Sequence, residues 1–206
     1  MTDLPADLTK LAAEVRGFLP DNEAAALRAA AAEHLLPGGV MVEIGTYCGK
    51  STIHLGHVAR QAGATLVTVD HHRGSEEHQE GWEYHDASLV DPQTGAFDTM
   101  PVFRRAMFEA GLEDVVVPIV GRSATVAAFW QAPLDAVFID GGHTEEAAQA
   151  DYAGWAPHVR DGGVLIACRA RAGVARFEVW DSGIGIAPAQ QAQVFEEFYQ
   201  AHSPEV

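Results

Sequence analysis

Ten residues, Glu43-Ile44-Gly45-Thr46-Tyr47-Cys48-Gly49-Lys50-Ser51-Thr52, set two glycines, a carboxylate and several hydroxyls at the junction of an apolar segment and a helical one. Glycine lets the backbone turn tightly and approach a ligand closely. The unpaired N–H groups of a helix start suit an anion. Asp70 ends the next apolar segment, where a carboxylate can accept from both hydroxyls of a ribose. The spacing excludes a phosphate-binding P-loop. That loop needs four residues between its first glycine and Gly-Lys-Ser; Ile44 occupies that position and Gly45 comes one residue late. The dinucleotide fingerprint G-x-G-x-x-G is absent. Two readings remain: a cofactor with a carboxylate in place of a pyrophosphate, or plain strand–helix packing.

A second group of reactive side chains lies between His71 and Asp98. His71, His72, His78 and His85 are interspersed with Glu76, Glu77 and Glu80. Their spacing does not match a tetrahedral zinc pattern. A polar stretch of this length without periodicity is expected to form a lid over the mouth of a site. Trp82 and Tyr84 within it either pack on a ring or sugar or anchor the loop on the core. Cys48 and Cys168 are the only cysteines, too few for a disulfide framework. A reduced, cytoplasmic setting is expected.

These groups need elements to position them. Helical stretches are expected from Asp21 to the Pro37-Gly38-Gly39 stop, from Gly49 to about Gln61, from Met100 to Ala110, from Ser123 to Trp130 and from Glu145 to Trp155. Short apolar runs at Val40–Ile44, Leu66–Asp70, Val115–Val120, Leu134–Asp140 and Gly163–Ala167 read as buried strands. Strands alternating with helices imply βαβ crossovers and an α/β, Rossmann-like, doubly wound parallel sheet covered on both faces.

At 206 residues the chain suits one well-buried core rather than two ordinary domains. Its hydrophobic content is 48%, and its mean hydropathy is near zero at −0.02. No apolar run reaches membrane-span length. The N-terminus has acidic residues early and no apolar signal core, so secretion is not expected. The net charge of −16 argues against nucleic acid, whose phosphates need a cationic surface.

The segment E-I-G-T-Y-C-G-K-S-T resembles the first motif of class I S-adenosylmethionine-dependent methyltransferases, especially the catechol-type O-methyltransferases with their E-x-G-x-x-x-G-x-S pattern. Phe138-Ile139-Asp140-Gly141-Gly142-His143-Thr144-Glu145-Glu146, followed by Asp151-Tyr152, is similar to the F-I-D-G-x-H pattern of a bacterial branch of that superfamily. Gly121-Arg122-Ser123 matches its G-x-S. The resemblance covers about residues 20 to 165, with the motifs in order. It implies S-adenosylmethionine as cofactor. Glu43, Gly45 and Gly49 would form the methionine-end pocket with Ser51 at the helix start, Asp70 would bind the ribose, and Gly121, Arg122 and Ser123 would border the adenine. Arg122 departs from the small or acidic residue usual there. Asp140 would face the sulfonium end and the substrate. His143, which follows the strand end, is the candidate general base, or else a histidine orienting the loop. In metal-dependent relatives acidic ligands follow the fifth strand. Here that place reads Ile166-Ala167-Cys168-Arg169, and an arginine repels a divalent cation, so no metal site is expected.

The character of the chain changes at Gly162-Gly163-Val164-Leu165. Residues about 166 to 200, with Asp181-Ser182-Gly183-Ile184-Gly185 and Phe195-Glu196-Glu197-Phe198, resemble part of the ATP-binding domain of sensor histidine kinases. The phosphate and metal cradle of that family has no counterpart, so phosphoryl transfer is not expected. The expected organisation is therefore a methyltransferase domain over 1–165 that lacks its usual last strands, and an appended segment over 166–206 that is not an independent domain. Val174 to Trp180 reads as a strand and Pro188 to Gln200 as a helix with an apolar stripe. They either patch the open sheet edge or promote dimerisation.

The function expected is methyl transfer to a small molecule, at oxygen by resemblance, with neither nucleic acid nor membrane as partner and a homodimer left open. The alternatives are a catalytically impaired cofactor-binding or interaction protein, and an ATP-binding remnant of a histidine kinase.

Overall fold

A computed structural model describes residues 3–82, 84–142, 144–171 and 174–181, the stretch from 168 onward as backbone only. Its elements are α1 (Ala6–Glu14), α2 (Asp21–His34), β1 (Val40–Ile44), α3 (Lys50–Ala62), β2 (Thr65–Asp70), α4 (Met100–Glu109), β3 (Val116–Val120), α5 (Ser123–Ala127), β4 (Leu134–Ile139), α6 (Glu145–Trp155), β5 (Val159–Arg171) and β6 (Val174–Asp181). The six strands form one sheet in the order β3-β2-β1-β4-β5-β6. The first five run parallel and β6 runs antiparallel to β5.

Successive residues of a strand point to opposite faces, and the core divides accordingly. Met41, Leu66, Phe138 and Ile166 pack with α1 to α4 on one face. Val42, Ile44, Val69, Val137 and Leu165 pack with Trp155 on the other. Trp155 is fully buried; burying an apolar side chain of this kind stabilises by roughly 1.5–3 kcal/mol.

Three details depart from the sequence reading. Helix α1 was not expected. It starts after Pro5, whose fixed backbone suits a helix start, and its Leu8 and Ala12, four apart, are buried. Helix α2 begins at Asp21 as expected, but Pro20 stands before it and no side chain caps it. Strand β3 is an edge strand, and Val117 and Val120 are exposed at 49% and 60%. It was expected to be covered on both faces.

Because α1 and α2 lie over α3, every residue from Ser51 to Ala59 is buried, His54 and His57 included. At the other end of the sheet, Val174–Asp181 pairs with β5 from Arg171↔Val174 to Val164↔Asp181. The tail strand thus patches the sheet edge, and the 165/166 boundary falls inside β5. The expected helix at 188–200 lies outside the described residues. Among the described residues, no helix is long and apolar enough to cross a membrane.

Candidate active site

In an open α/β sheet, ligands bind beyond the carboxyl ends of the strands where the strand order reverses. Here that point lies between β1 and β4. A cleft of about 460 Å³ opens there, at the ends of β1, β2 and β4 and the loop after β3. Its volume is in the range of small-molecule sites.

The loop after β1 forms its floor. Gly45 has φ +83°, and a Cβ on it would lie 2.3 Å from the Asp140 carbonyl oxygen. Its glycine therefore serves the close approach of the loop after β4. Gly49, with φ +94°, precedes α3 in the left-handed conformation, and its N–H donates to the Thr46 carbonyl at 2.9 Å. Asp70 organises this loop. One carboxylate oxygen accepts the N–H groups of Thr46 at 2.8 Å and Tyr47 at 2.9 Å; the other accepts the His72 N–H at 2.7 Å.

Of the residues singled out in the sequence, Gly45, Ser51, Asp70, Gly121, Arg122, Ser123 and Asp140 line the cleft. Glu43 and Gly49 are not among the lining residues. Glu43 has no exposed surface; its Oε2 accepts the Thr52 hydroxyl at 2.6 Å, while Oε1 has no partner. Burial pushes its pKa up to about 8, against the hydroxyls of Ser51 and Thr52, with Asp140 and Asp70 adding to the rise. Gly49 faces Phe103 and Met107. His143 lies outside the described residues.

Several lining residues were missed. Thr46 is buried, and its hydroxyl oxygen has no protein partner. Lys50 and the Arg16–Leu19 segment line one part of the cleft, and Asp151 of α6 another. The unmatched hydroxylic residue in the glycine turn and the lysine at the helix start were visible signals. The arrival of residues 16–19 depends on α1, which the sequence reading lacked.

The His71–Asp98 stretch does lie against the mouth. Arg16 pairs with Asp86 at 3.0 Å and donates to the Ser88 hydroxyl at 2.9 Å, tying the segment before α2 to this loop. Phe18 meets Tyr84 edge-on at 5.2 Å and Tyr47 at 5.9 Å between ring centroids; Tyr47 lies 5.1 Å from His78. Tyr84 therefore packs on this ring cluster. The histidines are engaged individually. His72 Nδ1 is 2.7 Å from the Thr99 hydroxyl, His78 Nδ1 is 2.8 Å from the Ser75 hydroxyl, and His85 Nδ1 is 2.9 Å from the His78 carbonyl. His71 Nδ1 accepts the Arg73 N–H at 3.1 Å. Among the described residues, no group of three or more His, Cys, Asp or Glu is arranged to hold a metal ion.

A protein-family model described as a methyltransferase domain matches residues 42–167. Among similar solved structures, cofactor-bound Rv0187 from MTB is 23% identical with a TM-score of 0.56, the alignment covering 81% of this chain and 66% of that one. The O-methyltransferase TomG from Streptomyces achromogenes, described as involved in tomaymycin synthesis and in complex with SAM, is 19% identical with a TM-score of 0.54 and coverages of 81% and 66%. An O-methyltransferase from Bacillus cereus in complex with SAH is 20% identical with a TM-score of 0.55 and coverages of 81% and 67%. The chain thus spans about two thirds of the length of these proteins, and the likeness establishes the shared fold.

Proposed function

The chain belongs to the methyltransferase-domain family, and from that premise we propose that it transfers a methyl group from S-adenosylmethionine to an oxygen of a small-molecule acceptor. The observation that carries the reading is Asp70. Its carboxylate lines the cleft while three backbone N–H groups hold it in place. A carboxylate has about four lone-pair sites, so about one fixed acceptor site remains for a hydroxyl of the ribose. The SAM and SAH complexes of the O-methyltransferases similar in fold support the cofactor and the oxygen acceptor.

The wall residues fit the parts of that cofactor. Lys50 and the start of α3 supply positive charge for a carboxylate. The unpartnered Thr46 hydroxyl supplies a further polar contact. Asp70 and Asp140 bring negative charge to the middle of the cleft, which suits a cation. Gly121, Arg122 and Ser123 border the purine end.

S-adenosylmethionine, when bound, supplies an electrophilic methyl group on a positively charged sulfur. The chain's part is orientation, worth about 7–11 kcal/mol in well-aligned reactions. The rings of Phe18, Tyr47 and His78 line the mouth and exclude water beside an acceptor. Asp140 is assigned a place facing the sulfonium end and the acceptor, and His143 the role of general base from its place in the sequence. The bound molecules and the acceptor are thus a cofactor and a small molecule; neither nucleic acid nor a membrane is part of this proposal.

Titration calorimetry with S-adenosylhomocysteine, and separately with an ATP analogue, tests it. The first is expected to bind and the second not. Asp70→Ala is expected to weaken the first at least about tenfold, from the loss of charge-assisted hydrogen bonds. Absence of binding by S-adenosylhomocysteine would overturn the reading. Binding without methyl transfer to any of a panel of hydroxylated acceptors would leave a cofactor-binding protein instead.

A further inference from the structure

The antiparallel pair of β5 and β6 runs past the sheet it borders. Strand β4 ends at Ile139, whose partner on β5 is Ala167. Strand β5 continues to Arg171, paired with β6 from Cys168↔Phe177 to Arg171↔Val174. At a rise of about 3.3 Å per residue, these positions reach roughly 13 Å beyond the last β4–β5 pair, toward the carboxyl ends where the cleft opens. Neighbouring strands lie about 4.8 Å apart. The extension therefore flanks Asp140, which follows Ile139 and lines the cleft.

This extension is cationic in a chain of net charge −16. Arg169, Arg171 and Arg176 fall within it, and the sequence from Gly162 to Phe177 contains no Asp or Glu. The register sets Arg169 opposite Arg176, and residues directly opposite share a face of the sheet. Alternation puts Arg171, two residues on, on the same face as Arg169. It is the face of Leu165 and Ala167, which belong to one core layer with Ile44 and Val69, and those two line the cleft. The backbone thus places three cations on the cleft side of the sheet. Like charges directly opposite destabilise a sheet. An anion received there turns that repulsion into attraction.

We propose that this arginine face receives an anionic group, a carboxylate or a phosphate, carried by the methyl acceptor, so that the substrates are hydroxylated acids rather than neutral hydroxyl compounds. The inference rests on the methyl-transfer reading above, which puts the acceptor at the Asp140 end. The planar fork of arginine matches the oxygens of carboxylate and phosphate in pairs. Asp70 and Asp140 repel an anion from the middle of the cleft, which directs the charged end of the acceptor toward β5 and β6.

Calorimetry on the full chain loaded with S-adenosylhomocysteine compares 4-hydroxybenzoate, 4-hydroxyphenyl phosphate and the neutral 4-hydroxybenzamide. At least one anion is expected to bind about tenfold or more tightly than the amide, as one charge-assisted hydrogen bond allows. The tighter anion shows which group the face takes. The preference is expected to shrink as sodium chloride rises from about 50 to about 500 mM. In Arg169→Gln/Arg176→Gln it falls to within about twofold; in Arg171→Gln, which removes one cation, it falls about threefold. Thermal melts identify the folded variants, and the preference of the unaltered protein needs none. Equal binding of the three compounds, binding of none of them to the loaded protein, or a folded double variant that keeps the full preference would overturn the proposal and leave the cofactor reading standing. If that variant also melts lower, the arginines serve the acidic first turn of α6, Glu145 and Glu146, instead. Failure of S-adenosylhomocysteine to bind would overturn both.

Discussion

The backbone N–H of Thr46 donates to Asp70 at 2.8 Å, through the same carboxylate oxygen that receives the Tyr47 N–H. The last residue of β2 thereby holds the loop that follows β1, and through His72 it also holds the start of the mouth loop. Asp70→Asn would turn one acceptor into an amide N–H₂ facing backbone donors. Hydrogen bonds to charged groups are worth about 1.5–3 kcal/mol, so the variant is expected to lose about 2 kcal/mol of stability. For a chain of this size that is a fall of roughly 4–8 °C in Tm. Unchanged melting would mean that the loop holds its shape without this carboxylate.

Gly45 and Gly63 both have positive φ, +83° and +64°, yet their surroundings differ. A Cβ on Gly45 would meet the Asp140 carbonyl oxygen at 2.3 Å and the Gly141 Cα at 2.7 Å, whereas one on Gly63 would meet nothing within 4 Å. Gly63→Ala is expected to cost only the left-handed conformation, about 1–2 kcal/mol. Gly45→Ala adds the overlap of two backbones, for a total of roughly 2–5 kcal/mol. Urea denaturation of both variants checks the difference. Equal losses would refute the role given to the approach of Asp140.

The parallel sheet was legible because its strands are short apolar runs bounded by glycine or acidic residues, and because helices alternate with them. The glycine turn was legible for the same reason: its spacing excludes other phosphate loops. What spacing could not give is which side of β1 meets the cleft. Glu43 and Ile44 are adjacent and point to opposite faces; Ile44 lines the cleft and Glu43 is buried against Thr52. Nor could it give contacts between distant segments. Arg16 reaches Asp86 only because α1 folds back over α3. Asp151 stands out in sequence only as part of the motif that follows Asp140, and its place on the cleft wall with Ser123 depends on the packing of α5 against α6.

The buried Glu43 imposes a pH dependence on stability. Burial, chiefly, pushes its pKa up from 4.5 to about 8. Between those values the folded chain keeps a proton that the unfolded chain has released. The contribution is therefore full below about pH 4.5 and is lost as the pH rises toward 8. Glu43→Gln keeps the shape of the neutral acid at every pH. It is expected to remove this decline and to be the more stable form above pH 8, by up to about 5 kcal/mol. Melting both proteins from pH 5 to 9 reads the effect, and a constant difference across that range would contradict it.

His54 acts in the opposite direction. Its Nδ1 lies 2.7 Å from an Arg28 guanidinium nitrogen. Arginine only donates, so Nδ1 accepts and the ring is neutral. Burial lowers its pKa from 6.5 to about 4, with Arg28 and Lys50 adding to the fall. The unfolded chain then binds a proton that the folded chain refuses, so stability is full above about pH 6.5 and is lost as the pH falls toward 4. His57, one turn along α3, has its pKa lowered by burial too and works in the same sense. His54→Asn retains an acceptor for Arg28 and removes the titrating ring. Its loss of stability between pH 7 and pH 4.5 is expected to be smaller by up to about 3 kcal/mol, as read by urea denaturation at the two pH values. A loss equal to that of the unaltered protein would show that the α2–α3 contact does not depend on a neutral His54.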